Sequence, residues 1–83
     1  MTSTKTAKPL PPTIEVDGNA IRARRIELGH TITEFADRAD MSFQYLSQLE
    51  RGDRKRVTPP RFQRLVSALR MRGRESELKA DAS

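Results

Sequence analysis

Apolar residues fall in short groups at helical spacing, separated by glycine, proline or a capping residue. Ala20, Ile21 and Leu28, with the stem of Arg24 or Arg25, share a face at the 3.6-residue period and predict a helix over Gly18–Leu28. Asp17 is placed to cap it, its carboxylate facing the free amides of Asn19 and Ala20. Gly29 ends it, because a helix C-terminus often needs a left-handed residue. Thr31-Ile32-Thr33-Glu34 has the form of a capping box and opens a second helix with Phe35, Ala36 and Ala39 on its inner face. Ser42 caps a third, Phe43–Glu50, in which Leu46 and Leu49 point inward, with Tyr45 a further candidate, and Gly52 stops it. Thr58-Pro59-Pro60 restarts a helix with a cap followed by proline at the first helical position, where its missing N–H costs nothing. The stripe of that fourth helix is Phe62, Leu65, Val66 and Leu69, with Met71 at its end.

The ends read differently. Residues 1–16 are Thr, Ser, Lys and Ala followed by Pro9, Pro11 and Pro12, which predicts a flexible, disordered N-terminal tail. The alternative is a short extended segment in which Ile14 and Val16 cover the edge of the core. Beyond Gly73 only Leu78 is a candidate for burial, so residues 73–83 are expected as a weakly ordered segment, either a frayed last turn or a weak fifth helix. No internal repeat or β-hairpin signal appears. The expected fold is all-α: four or five short helices in one small domain spanning residues 17–72.

A chain of 83 residues has room for one modest core. The absence of cysteine excludes disulfides and thiolate-held zinc. No run approaches the length of a membrane span and no secretory leader is evident, so a soluble, cytoplasmic protein is expected, with no role at a membrane. Sixteen Lys and Arg against eleven Asp and Glu leave a net charge of +5, which favours a polyanionic partner. The excess is local. The stretch Arg51–Arg74 holds nine basic residues, Arg54, Lys55, Arg56 and Arg61 among them, opposed only by Asp53. Phosphate contact requires such a concentration.

The two helices Thr31–Ala39 and Ser42–Glu50 are joined by a very tight turn, which crosses them steeply and pushes the second outward, where a major groove can accept it. Ala36 is small where the second helix crosses, and Leu46 plugs the space between the pair. The opposite face carries Phe43, Gln44, Ser47 and Gln48. With Ile21-Arg22, Arg25, Gly29, Thr31, Glu34-Phe35-Ala36, Ser42, Leu46-Ser47, Leu49-Glu50, Gly52, Leu65, Ala68 and Leu69, the stretch Asp17–Met71 resembles the lambdoid-repressor and Cro type of helix-turn-helix, the XRE family.

The resemblance implies a lambda-repressor-like fold whose third helix enters the major groove with its first turn at the base edges. Ser42, Phe43, Gln44, Ser47 and Gln48 occupy the base-reading positions. Gln44 leads and Gln48 follows, because a glutamine amide pairs two-pronged with adenine. Phe43 would lie against a thymine methyl or the backbone, the alternative being packing inside its own domain. Phosphate contacts are expected from Thr31 and Thr33 at the N-terminus of the second helix and from Arg51, Arg54, Lys55 and Arg56. Arg25 and Glu50 match a pair that the family often buries as a salt bridge between its first and third helices.

Three positions depart from the family pattern. Ile32 stands where Gln is common, removing one side-chain phosphate contact. Asp40 replaces the turn Gly, and Arg70 replaces a Gly after the fourth helix. His30 is a lone histidine without metal partners, and no paired acids, nucleophile with its base, or phosphate loop marks a catalytic site. No metal, cofactor or enzymatic activity is therefore expected. The leading function is a sequence-specific, double-stranded-DNA-binding transcriptional regulator, a small phage- or plasmid-type repressor, nucleoid-associated when bound. The alternatives are an antitoxin-type module that also neutralises a protein partner, and an excisionase-like factor that bends DNA. Homodimerisation is usual in the family. Pairing before DNA, pairing only on DNA, and monomeric binding all stay open here.

Overall fold

The computed structural model describes residues 12–80. Four helices carry the fold: α1 (Gly18–Glu27), α2 (Ile32–Arg38), α3 (Phe43–Arg51) and α4 (Pro59–Ala68). Two short strands, β1 (Ile14–Glu15) and β2 (Arg56–Val57), and a 3-10 turn at Glu75–Leu78 complete it.

Local chemistry sets the helix ends. The Asp17 carboxylate accepts hydrogen bonds from the amides of Asn19 (3.0 Å) and Ala20 (3.4 Å). In the capping box of α2, Thr31 Oγ1 accepts from the Glu34 amide at 3.1 Å and Glu34 Oε1 accepts from the Thr31 amide at 3.0 Å. Ser42 Oγ accepts from the Tyr45 amide at 3.0 Å. Thr58 makes no such side-chain bond at α4, where Pro59 and Pro60 fill the first two positions. Proline brings no N–H, so one of the two amides that a cap could serve is missing. Gly29 and Gly52 turn left-handed at φ +83, and the non-glycine residues Asp40 (φ 58) and Arg70 (φ 57) adopt the same region after α2 and α4.

The inner faces meet in one core. Ile21, Phe35, Leu46, Leu49, Leu65, Val66 and Leu69 have no exposed surface, and Ala36 and Ala39 are buried where α2 meets α3. Gly18 marks a close crossing of α1 over the end of α3: a Cβ there would land on the Leu49 carbonyl oxygen and 2.9 Å from that of Glu50.

Both expected domain boundaries move. The tail read as residues 1–16 ends earlier, because β1 pairs antiparallel with β2 (Ile14 opposite Val57, Glu15 opposite Arg56) and Val16 is buried. The remainder of that segment, 1–11, lies outside the described residues. Of the segment read as 73–83, the described residues 73–80 form no fifth α-helix, yet Leu78 is fully buried. The Leu78 carbonyl accepts from the Asp17 amide (2.8 Å), and the Ala80 amide donates to the Glu15 carbonyl (3.0 Å). Val16 bonds outward in turn, its amide donating to the Lys55 carbonyl at 2.8 Å. Residues 14–17 thus lie between the α3–α4 loop on one side and the C-terminal turn on the other, adding a small sheet to the expected helices. The pairing was hidden because the partners are far apart in sequence and each segment is too short for a periodic signal.

Candidate nucleic-acid interface

Helix α3 is held from behind and open in front. Leu46 and Leu49 anchor its inner side. Glu50, also buried, receives Arg25 from α1 in a two-pronged pair, Nε to Oε2 at 2.8 Å and Nη2 to Oε1 at 2.9 Å. Arg25 Nη1 donates besides to the His30 carbonyl at 2.9 Å, tying α1, the α1–α2 turn and α3 together. The hydrogen-bonded Glu50 carboxylate raises the Arg25 pKa further above its ordinary value, against the opposing effect of burial.

The outward side of α3 presents the residues expected to read bases, in unequal states. Gln44 is exposed and Phe43 is half exposed, so the phenyl ring is not part of the core. Ser42 is exposed, but its oxygen is engaged as the helix cap. Ser47 Oγ accepts from Arg51 Nη1 at 3.3 Å. Gln48 Oε1 accepts from Arg54 Nε at 3.1 Å.

The residues expected at phosphates separate more sharply. The capping box occupies Thr31 and places the Glu34 carboxylate on the same turn, whereas Thr33 is exposed. Arg51 pairs with Asp53 at 3.0 Å, with both side chains largely exposed. Such a pair is worth little in water and is easily traded for a phosphate. Lys55 is exposed. Arg56 is turned onto β1 instead, with Nη1 donating to Thr13 Oγ1 at 3.2 Å and Nη2 lying 3.6 Å from Glu15 Oε1.

Two arginines that the sequence showed only within the family pattern (Arg22) and the basic stretch (Arg61) were given no place at the interface. Exposed Arg22 lines an open groove of about 410 Å³ with Thr31, Ile32, Ser47 and Arg51, beside the start of α2 where Ile32 brings no polar group. Its position three residues before Arg25 was the available signal, since that spacing puts both on one side of α1. Arg61 lies over the Tyr45 ring at 4.5 Å, as does Arg54 at 4.8 Å. Nothing local links residues 45 and 61, so only the packing of α4 against α3 reveals this cluster.

The chain matches the helix-turn-helix family over residues 21–75. No curated protein matches it in sequence. Among solved structures, it is similar to SinR, described as the master regulator for biofilm formation and crystallised in complex with DNA. The two are 26% identical, with a TM-score of 0.63 over 65% of this chain and 88% of that one. From the α2–turn–α3 geometry, the caps that set it and the family match over most of the described residues, the chain belongs to the XRE-type helix-turn-helix family.

Proposed function

We propose that this chain is a transcriptional regulator that binds a specific duplex DNA sequence by placing α3 in the major groove. The observation that carries the reading is the outward face of α3. Gln44 and Phe43 stand exposed at its first turn, and basic side chains flank it on both sides, Arg22 and Arg51 at one edge and Arg54 and Arg61 at the other. Groove width admits a helix, base edges are read by amides and hydroxyls, and phosphates are met by arginine. The similarity to a regulator crystallised in complex with DNA supports DNA binding.

In this mode Gln44 and Gln48 read bases, assisted by Ser42, Phe43 and Ser47. Thr33, Arg22, Arg51 and Lys55 hold the backbone, and Arg54 lies beside Gln48. Control of transcription then follows from occupancy: a bound domain excludes other proteins from the same stretch of duplex, and no chemical step is needed. Selection of bound duplexes from a random pool tests this directly. One enriched motif is expected, and Gln44→Ala should weaken it by about 1–3 kcal/mol while hardly changing random DNA. Equal affinity for all sequences, or none at low ionic strength, would refute the reading. The symmetry of the motif reports whether one chain or two bind.

A further inference from the structure

A glutamine side chain has one acceptor oxygen and one NH2 group, and its two-pronged contact with adenine uses both. In this chain the oxygen of Gln48 is already engaged by Arg54 Nε at 3.1 Å. A guanidinium has donors only, so chemistry fixes the orientation of the amide: Oε1 faces Arg54 and the NH2 group faces away. Arg54 is itself held at two further points. Its backbone amide donates to the Gln48 carbonyl at 3.1 Å, and its guanidinium lies over the half-buried Tyr45 ring at 4.8 Å. Arg61 rests over the same ring at 4.5 Å, and among the described residues neither arginine has a carboxylate partner to draw it away. Ordering of the Arg54 side chain thus precedes any encounter with DNA.

We infer that Arg54 is a specificity-positioning residue that makes Gln48 part of a continuous donor edge, so that the base it faces is guanine and not adenine. The inference rests on the duplex-binding reading above. Adenine would bring its N6 amino group to the remaining lone pair of an amide oxygen that already accepts from a guanidinium, placing donor beside donor and next to a positive charge, which weakens that contact relative to guanine. Guanine offers two acceptors, N7 and O6, to two adjoining donor groups, the Gln48 NH2 and the free N–H groups of Arg54.

The experiment is selection from a random duplex pool with the unaltered chain, Gln48→Ala and Arg54→Met. Methionine keeps an apolar stem against Tyr45 but removes the donor. The base pair whose preference disappears in Gln48→Ala marks the position. Guanine is expected there for the unaltered chain, and Arg54→Met should move the guanine-to-adenine ratio towards adenine by roughly tenfold, because the freed oxygen restores the two-pronged contact. Adenine at that position in the unaltered chain, no position that responds to Gln48→Ala, or an undiminished guanine preference in Arg54→Met would each overturn the inference. So would loss of all duplex binding by Arg54→Met with an unchanged thermal melt, which would make Arg54 an affinity residue only. Failure of the unaltered chain to enrich any motif is a separate result and counts against duplex reading as a whole.

Discussion

Removing either partner of the Arg25–Glu50 pair leaves the other charge enclosed, since their side chains are only 11% and 5% exposed. Glu50→Ala is therefore expected to cost about 3–5 kcal/mol, read as a lower thermal or denaturant midpoint. The double replacement Arg25→Met with Glu50→Leu should cost far less than Glu50→Ala, because it removes both charges and fills their volume. A double mutant whose loss equals the sum of the two single losses would mean that the pair is not coupled. At this scale the sequence was informative wherever a role depends on near neighbours. Asp17, Thr31 and Ser42 were readable as caps because the amides they serve lie two or three residues away. It was uninformative about Arg56, whose partners, Glu15 on β1 and Thr13 just before it, lie far away in the chain.

Among the helices, the tightest constraint falls on Gly18. Glycine inside a helix ordinarily costs about 0.5–1 kcal/mol relative to alanine, so a propensity argument favours Gly18→Ala. The crossing with α3 reverses the sign. The new methyl would meet the carbonyl oxygens of Leu49 and Glu50, which are backbone and cannot swing aside. The expected result is a loss of about 1–3 kcal/mol in an equilibrium unfolding measurement. A stabilised Gly18→Ala would show that α1 does not approach α3 this closely. Helix existence and type were legible from apolar periodicity for all four helices, and Gly29 and Gly52 were legible as stops. The need for glycine at 18 was not, because it arises from a neighbour 31 positions away (Gly18 against Leu49).

Across the molecule, the two ends close one side of the core together. Leu78 has no exposed surface and sits where its carbonyl meets Asp17. Leu78→Ala should cost about 2–5 kcal/mol, as for a core leucine within a helix. A change no larger than that of an exposed residue would return the C-terminal segment to the weakly ordered state expected from its sequence. Charge is also arranged on this scale. Exposed Lys55 is expected to meet a phosphate, so Lys55→Ala should reduce the slope of log affinity against log salt by about 0.9. Arg56, held at two points by Thr13 (3.2 Å) and Glu15 (3.6 Å), should change that slope less than Lys55 when replaced by Ala. The reverse ranking in a salt titration would place Arg56, not Lys55, at the DNA.

Read alone, the amino-acid order settles what depends on neighbours within one or two turns: four helices, their caps and stops, and the apolar stripe of each. The order and spacing of those features sufficed to recognise the helix-turn-helix and to nominate the outward face of α3. Tertiary structure decided the long-range matters: the three-segment joint of residues 14–17 with 55–57 and 78–80, the glycine under the α1–α3 crossing, and which side chains the arginines lie against. The reason is physical. Periodicity and capping are carried by hydrogen bonds and contacts a few residues apart. The partner of a side chain such as Arg54, Arg56 or Arg61 is chosen only when distant segments are packed together, and no local pattern encodes that choice.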